Sequence, residues 1–249
     1  MRSPNISGAI MAIQTRTIDY RDGDTELQGY FAWDDAIDEI RPGVMVSHAW
    51  RGRTDFENTK AEDLAKLGYV GFALDLYGKG VQGNSVEENS ALMQPFLDDR
   101  QMLQNRLRVS LEAMKNQEEV DATRSAAIGF CFGGLCMLDL ARINADVNGV
   151  VSFHGLFGAP GNTAGNKTEV KVLVSHGWDD PMATPDQVVS LGEELSGLGA
   201  DWQIHGYGNT MHAFTNPEAN DADSGTVYQP DADRRSWNTM QDFLSEILS

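Results

Sequence analysis

The sequence predicts an α/β fold in which a mostly parallel sheet is covered by helices on both faces. Short apolar runs typical of buried strands alternate with longer stretches that carry an apolar stripe at helical spacing. Parallel strands need long crossover connections, and a helix is the usual one. The 249 residues contain no linker-like break, so we expect one domain over residues 13–249 after a flexible leader, residues 1–12.

The predicted strands begin with an antiparallel pair. Residues 13–19 and 26–33 alternate roughly in polarity and flank a turn, 21–24, whose residues are typical of hairpins. Compact apolar runs then indicate buried parallel strands. These runs lie at 44–47, 70–74, 126–130, 147–153, 170–175 and 202–207.

Helix signals lie between these strands. Thr54 and Glu57 have the spacing of a capping box, which opens a helix. Residues 87–116 are expected to be mostly helical, with Pro95 as a kink or restart point. The remaining helices are expected at 134–143, at 184–198 and around 237–247, and Thr184 and Gln187 have the capping-box spacing at the start of the second of them.

The composition excludes some classes of binding partner. A net charge of −18 and a pI near 4.5 indicate a surface that repels nucleic acid and anionic membranes. No apolar run is long enough to span a bilayer, and the start of the chain lacks the pattern of a signal peptide. We therefore expect a cytoplasmic protein. Cys131 and Cys136 are expected to be free thiols, because their spacing on one helix does not suit a disulfide.

The stretch from Gly129 to Gly134 predicts a nucleophile. A buried strand runs into a Gly-x-Cys-x-Gly turn, and a helix follows, which is the nucleophile-elbow pattern with cysteine in place of serine. Gly129 and Gly133 remove the Cβ atoms that would collide across the turn. The positive end of the following helix favours a thiolate at Cys131, and the first free N–H, that of Phe132, faces a developing oxyanion.

A base and an acid are expected on later loops. In α/β-hydrolases the chain order is nucleophile, acid, histidine. His212 follows the last predicted strand, where the base belongs. Asp180, next to Pro181, follows the preceding strand and is the expected acid, with Asp179 as the alternative. No closely spaced ligand pair indicates a metal site, and we expect no cofactor.

Four stretches of the chain resemble the dienelactone hydrolase family of the α/β-hydrolase fold. They are 47–52 (SHAWRG), 74–80 (LDLYGKG), the 129–134 elbow, and the turns with Asp180 and His212. The resemblance covers the chain from about Gln14 to the last helix. It implies a Cys131–His212–Asp180 triad, and it implies that the backbone N–H of Trp50 joins that of Phe132 in the oxyanion hole.

The resemblance also identifies departures from the family pattern. Members that act on dienelactone carry a glutamate where this chain has Ala49, and it helps to control protonation of the cysteine. They bind the substrate carboxylate with two arginines, which correspond here to Lys79 and Asn216. A broader or different ester is therefore expected as substrate. Residues that follow strand ends are candidates for the substrate pocket, namely Arg51, Tyr77, Lys79, Phe157 and Trp178 together with Trp50.

These observations predict a hydrolase that cleaves carboxylic esters or enol-lactones through a thioester on Cys131. Arg51 and Lys79 are expected to attract an acidic substrate. A thioesterase or acyltransferase with the same triad, and a catalytically silent binding protein on this fold, are the alternatives. We expect a small-molecule ester, lactone or thioester as partner and a monomer or homodimer. The polar segment 216–233 is either a mobile lid or a surface loop.

Overall fold

The computed structural model describes residues 12–249. Ten strands are present in this part of the chain: β1 (Ile13–Asp22), β2 (Thr25–Asp34), β3 (Arg41–Ser47), β4 (Val70–Ala73), β5 (Val120–Phe130), β6 (Gly149–Phe153), β7 (Lys171–Gly177), β8 (Trp202–Tyr207), β9 (Asn220–Asp221) and β10 (Thr226–Val227). The helices are α1 (Asp55–Lys66), α2 (Val86–Asp98), α3 (Arg100–Lys115), α4 (Phe132–Arg142), α5 (Pro185–Leu198) and α6 (Pro230–Ile247). Of the predicted leader, all but Ala12 lies outside the described residues.

Strands β1 to β8 form one sheet in the order β1-β2-β4-β3-β5-β6-β7-β8. β1 pairs antiparallel with β2, and β2 antiparallel with β4, whereas every other neighbouring pair is parallel. The prediction of an α/β-hydrolase fold with a mostly parallel sheet is therefore confirmed. Strand β5 lies in the middle of the sheet, so the turn at its carboxyl end is central to the molecule.

Two hydrophobic cores lie on the two faces of the sheet. One core is built from buried side chains of α3, α4 and α5 and from the strand side chains on that face of the sheet. The other is built from α1, α6 and the strand side chains on the opposite face. Met45 packs into the first core while its neighbours Val44 and Val46 pack into the second, as the alternation of side chains along a strand requires. Helix α4 is buried along its whole length, which fixes the helix that follows Cys131.

Both predicted capping boxes are present. Phe56 N donates to the Thr54 hydroxyl, while Thr54 N donates to Glu57 Oε2 at 2.8 Å. Helix α5 begins in the same way at Thr184 with Gln187. Each box satisfies backbone N–H groups that the first helical turn would leave without partners.

The long helical stretch breaks four residues after the expected place. Pro95 lies within α2, and the chain leaves the helix at Asp99 instead. The Asp99 side chain accepts a hydrogen bond from Met102 N at 2.9 Å, so it caps the start of α3. The aspartate cap rather than the proline therefore sets the boundary. None of the helices in residues 12–249 has the length and apolar character needed to cross a membrane.

Candidate active site

A cleft of about 1130 Å³ opens beyond the carboxyl ends of β3, β5 and β6. This edge is where ligands bind in open α/β sheets. The loops after these strands and the segment after β8 supply its walls. The cleft brings together Trp50, Arg51, Glu57, Cys131, His154 and His212.

Cys131 lies at the turn between β5 and α4, with a φ of 57° and a ψ of −115°. This backbone conformation is costly for a residue with a side chain, and it directs Cys131 out of the turn and into the cleft. A Cβ on Gly129 would lie 2.2 Å from Gly133 O, and a Cβ on Gly133 would lie 2.3 Å from Ser47 O. Only glycine fits at either position, so the turn has the geometry of a nucleophile elbow.

Two backbone N–H groups flank the nucleophile. Phe132 is the first residue of α4, and Trp50 lies in the turn after β3. Within residues 12–249, neither N–H donates a hydrogen bond to another group of the protein. The Tyr77 hydroxyl donates to Trp50 O at 2.9 Å, which fixes the turn that carries the second N–H. Both groups are therefore donors without a partner in the described part of the chain, and their role in an oxyanion hole stays a prediction.

His212 and Asp180 form a buried pair. His212 Nδ1 lies 2.7 Å from Asp180 Oδ2, and the two residues are each 2 % exposed. The other carboxylate oxygen of Asp180 accepts a hydrogen bond from Met182 N at 2.8 Å. This second bond fixes the carboxylate, so that Oδ2 orients the imidazole ring. Asp179, the alternative acid, is exposed to solvent.

Cys131 is the ionisable group next to the second ring nitrogen of His212. Nε2 is buried and has no hydrogen-bond partner in the described part of the chain. Burial lowers the pKa of His212, but the negative charge of Cys131 and the hydrogen bond to Asp180 outweigh it and raise the pKa to about 10. A negative charge on Cys131 would therefore stabilise the protonated imidazole of His212.

The backbone of His212 is bonded to the hairpin formed by β9 and β10. His212 N donates to Gly225 O at 2.9 Å, and Val227 N donates to His212 O at 3.0 Å. Asn216, Glu218 and Thr226 of the same segment line the cleft. The 216–233 segment therefore forms a wall of the cleft, and any motion as a lid would have to break the backbone bonds that hold His212.

Three further histidines surround the site. His48 Nε2 accepts a hydrogen bond from Leu76 N at 3.2 Å, and its Nδ1 lies 2.7 Å from Ala49 O. His154 Nε2 bonds to the Thr215 hydroxyl at 2.8 Å, and its ring packs edge-on against His212 at 5.1 Å. Burial lowers the pKa of both His48 and His154, so they are neutral. The ring of His176 packs against Phe157 instead.

Residues 12–249 contain no group of three His, Cys, Asp or Glu side chains arranged to hold a metal ion. Cys136 lies one turn along α4 from Cys131 and is fully buried. Both cysteines are free thiols, as their spacing indicated.

Only some of the predicted pocket residues lie at the cleft. Trp50, Arg51, Ala49 and Asn216 line it. Tyr77 supports the Trp50 turn from behind, where its ring stacks on that of Phe132 at 6.4 Å between centroids. Tyr77 was expected to contact substrate, and the structure instead places it where it supports the Trp50 turn.

Lys79, Trp178 and Phe157 do not line the cleft, which corrects three candidates. Lys79 Nζ lies 2.7 Å from Asp19 Oδ2 on the surface, because the 78–80 turn docks on the β1–β2 hairpin. Trp178 is 46 % exposed and packs over Gly206 on β8. Phe157 is buried in the core.

Glu57 is a cleft residue that sequence reasoning assigned only to a helix cap. It is 2 % exposed, and its Oε1 accepts a hydrogen bond from Ala49 N at 3.4 Å while Oε2 caps α1. A carboxylate is therefore present next to position 49 although residue 49 itself is alanine. The capping-box spacing located the residue but gave no sign that the start of α1 lies at the cleft.

Comparisons with known proteins identify the family and support the fold. The model of the dienelactone hydrolase family matches residues 27–248. The structure is similar to that of m3DLH, with 36 % sequence identity, 96 % of this chain and 100 % of the other covered, and a TM-score of 0.90. It is similar to a dienelactone hydrolase-like promiscuous phosphotriesterase from metagenomic libraries, with the same identity and coverage and a TM-score of 0.89.

A more distant relative is a Bradyrhizobium protein named "Probable 2-oxo-3-(5-oxofuran-2-ylidene)propanoate lactonase". It is 24 % identical over 246 residues, which cover 94 % of this chain and 96 % of the relative. The family match extends over most of the chain and includes the elbow and the turns that carry Asp180 and His212. The chain belongs to the dienelactone hydrolase family.

Proposed function

We propose that this hydrolase of the dienelactone hydrolase family cleaves carboxylic esters and enol-lactones through a Cys131–His212–Asp180 triad and a thioester acyl-enzyme. One observation carries the proposal. A half-buried cysteine at a nucleophile elbow lies beside a histidine whose opposite ring nitrogen bonds a buried aspartate at 2.7 Å. This is the arrangement that nucleophilic catalysis needs, with the base activating the nucleophile and the acid orienting the base.

The acylation step follows from the charges of the pair. The Cys131 thiolate attacks the carbonyl carbon, a C–S bond forms, and the carbonyl oxygen becomes an oxyanion. The N–H groups of Phe132 and Trp50 stabilise that oxyanion by about 3 kcal/mol each. The C–O bond to the leaving alcohol then breaks, and the imidazolium of His212 gives its Nε2 proton to the departing oxygen.

The deacylation step reverses the roles. After acylation His212 is neutral, and its Nε2 takes a proton from a water molecule that attacks the thioester carbon. The C–S bond breaks, the acid leaves, and the proton returns to the Cys131–His212 pair. Asp180 keeps the Nδ1 proton in place throughout, so that Nε2 is the basic nitrogen in this step.

The names of relatives support esters and lactones as the substrate class. The Bradyrhizobium relative is named as a lactonase, which cleaves a cyclic ester. A thiolate leaves a tetrahedral intermediate more readily than an amine does, so amides are poor substrates for the same site. Trp50 and Arg51, which line the cleft beside Cys131, are proposed to contact the substrate.

The test uses the two cysteines as a matched pair. We expect Cys131→Ala to abolish hydrolysis of p-nitrophenyl butyrate, whereas Cys136→Ala, in a fully buried position on the same helix, keeps it. Intact-protein mass spectrometry after rapid quenching should find a butyryl adduct on the wild type and His212→Gln but none on Cys131→Ala. Activity retained by Cys131→Ala would contradict the proposal. An added thiol that carries off the acyl group faster than water would indicate an acyltransferase.

Hydrolysis of phosphate triesters is a second candidate reaction. One similar structure is titled as a promiscuous phosphotriesterase, and it shares 36 % identity with this chain. Phosphate triesters are uncharged electrophiles, and the same thiolate could attack phosphorus and release a phenolate. Turnover of diethyl p-nitrophenyl phosphate, compared between wild type and Cys131→Ala, tests this reaction. A single stoichiometric burst without turnover would mean that the phosphorylated enzyme is a dead end.

A further inference from the structure

The walls of the cleft carry more negative than positive side chains. Among residues 12–249, four carboxylates and two cations line it: Asp55, Glu57, Glu218 and Asp233 against Arg51 and Lys60. The Cys131–His212 pair adds no net charge, whether its proton lies on sulfur or on nitrogen. The fixed charge around the nucleophile is therefore negative.

The guanidinium of Arg51 is already engaged. Its Nε donates to Gly83 O at 2.9 Å, and its Nη2 donates to Asn84 Oδ1 at 3.3 Å. These bonds fix the side chain along the 83–84 loop. These bonds use Nε and one N–H of Nη2, whereas Nη1 makes no hydrogen bond within residues 12–249.

The ammonium of Lys60 is also engaged. Lys60 Nζ lies 4.6 Å from the ring centroid of Trp237 and 5.3 Å from that of Phe56, so it is held over two aromatic faces. Burial raises the pKa of the Asp233 carboxyl, and the charge of Lys60 opposes that rise. Lys60 and Arg51 together offset two of the four carboxylates, so the lining keeps an excess of two negative charges.

The field of the whole protein has the same sign as that of the cleft. The chain has a net charge of −18, and a low-dielectric cleft focuses such a field on its opening. Lys79, expected from the sequence to attract an acidic substrate, is paired with Asp19 outside the cleft. An anionic ligand would meet repulsion from the surface inward, because the lining and the whole protein both carry an excess of negative charge.

We propose that the cleft selects esters whose acyl chain is uncharged or cationic and disfavours those that carry a carboxylate or another anionic group. The inference rests on the proposed esterase function for its natural substrates. The electrostatic potential at Cys131 can be tested without any turnover.

The first test measures how fast charged thiol reagents modify Cys131. The cationic reagent is 2-(trimethylammonio)ethyl methanethiosulfonate, and the anionic one is its 2-sulfonatoethyl counterpart. The rate with the cationic reagent is divided by the rate with the anionic reagent, and dividing this ratio by the same ratio for free 2-mercaptoethanol gives the corrected ratio. Loss of labelling in Cys131→Ala confirms that Cys131 is the modified residue. We expect the corrected ratio to exceed about tenfold at low salt, since net charges at a few ångströms carry interactions of this order. A corrected ratio at or below one would overturn the inference.

The second test measures hydrolysis of p-nitrophenyl esters of matched shape. The acyl groups are 4-(trimethylammonio)butanoate, its uncharged carbon isostere 5,5-dimethylhexanoate, and 4-sulfobutanoate. We expect kcat/KM to fall in that order. The differences among the three esters should become smaller as added salt shortens the Debye length to about 3 Å at 1 M. Faster hydrolysis of the sulfonate than of the cation would overturn the inference. If no ester is hydrolysed, the proposed function fails, while the thiol test still decides the charge preference.

A pair of double variants separates the cleft from the general surface charge. Asp55→Asn with Glu218→Gln removes two carboxylates that line the cleft. Asp38→Asn with Glu39→Gln removes two exposed carboxylates on the loop before β3, at the opposite edge of the sheet. We expect the first pair to lower the corrected thiol ratio at least about threefold and the second to change it much less. An equal effect of both pairs would overturn the assignment to the cleft.

The charge reversal Glu218→Lys provides a variant that does not touch a helix cap. Glu218 is exposed, and its side chain makes no hydrogen bond within residues 12–249, so folding should be unaffected. We expect a further fall in the cation-to-anion ratio relative to Glu218→Gln. An unchanged ratio in both single variants would remove Glu218 from the proposal.

Discussion

His212 Nδ1 lies 2.7 Å from Asp180 Oδ2, and neither residue is accessible to solvent by more than 2 %. Because Met182 N donates to the other carboxylate oxygen, the pair has only one arrangement. In Asp180→Asn, the amide oxygen would keep the bond to Met182 and the amide N–H₂ would face Nδ1. Two donors cannot bond, so the imidazole would be forced to carry its proton on Nε2.

We therefore expect Asp180→Asn to lower kcat/KM for p-nitrophenyl butyrate by on the order of 10³-fold, because the base is held in the wrong tautomer. Asp179→Asn is the matched control. Its exposed carboxylate precedes the same turn, and we expect activity within about twofold of the wild type. Steady-state kinetics with thermal unfolding of each variant makes the comparison. Equal losses in both variants would point to a disturbed turn rather than to a lost acid.

The pH dependence of kcat/KM should reflect the titration of the His212 imidazolium. Its pKa is raised from an ordinary value of 6.5 to about 10, so the Nε2 proton is present throughout the neutral range and is lost near pH 10. An alkyl ester needs that proton on its leaving oxygen, and kcat/KM for such an ester should fall as the pH rises through about 10. A p-nitrophenyl ester, whose leaving group needs no proton, should lack this alkaline limb.

The same shift has a consequence for stability. Because the folded-state pKa lies above the unfolded value, protonation of His212 stabilises the fold fully below pH 6.5, and this contribution declines as the pH rises to about 10. In Asp180→Asn the alkaline limb for the alkyl ester should move to lower pH, since one of the groups that raise the pKa is lost. An alkaline limb that stays at the same pH would show that His212 is not the titrating group.

Tyr77 should act on turnover more than on substrate binding. Its hydroxyl donates to Trp50 O at 2.9 Å, and burial raises its pKa, so the hydroxyl stays a donor at all working pH values. We expect Tyr77→Phe to lower kcat about threefold to tenfold with little change in KM, the effect of one lost hydrogen bond on the oxyanion turn. Tyr69→Phe, at a half-buried position whose hydroxyl makes no hydrogen bond within residues 12–249, is the control. A rise in KM alone would instead mean that Tyr77 contacts substrate.

Arg142 should contribute to stability rather than to chemistry. Its side chain is completely buried and bonds Glu194 through two nitrogens at 2.8 Å, Asp139 at 3.2 Å and the carbonyl of Phe157 at 2.9 Å. Truncation to alanine leaves Glu194 without its cationic partner and the Phe157 carbonyl without its donor, whereas Asp139 keeps its ion pair with Arg100. We expect Arg142→Ala to lower the free energy of unfolding by about 3 kcal/mol or more in urea titrations.

The comparison for that measurement is a surface ion pair. Arg124 bonds Asp121 at 2.7 Å with its side chain 39 % exposed, and Arg124→Ala should cost no more than about 1 kcal/mol. Arg142→Met keeps most of the buried volume and separates packing from charge. If Arg142→Met is as stable as the wild type, the ionic network has no net stabilising effect.

Features that depend on local sequence were predictable. The two capping boxes and the glycines around Cys131 are short-range requirements of the backbone, and each is present where the sequence indicated it. The break at Asp99 was misplaced because two local signals competed, and an aspartate cap ended α2 where a tolerated Pro95 did not.

Features that depend on long-range register were not predictable. The partner of Lys79 is Asp19, sixty positions away, and only the docking of the β1–β2 hairpin brings the two together. Glu57 was located correctly as a cap, but its place at the cleft depends on how α1 crosses the sheet behind Ala49. A single sequence shows which residues begin a helix, but it does not show which part of the fold the start of that helix will face.

The backbone bonds that join His212 to the β9–β10 hairpin matter for anyone who re-engineers this scaffold. The segment that shapes the mouth of the cleft and the segment that aims the base are one mechanical unit. Loop exchange between homologues should therefore transfer residues 208–229 as a single cassette. A graft that replaces only the tip of the β9–β10 hairpin would alter the cleft wall and misalign the imidazole in the same step.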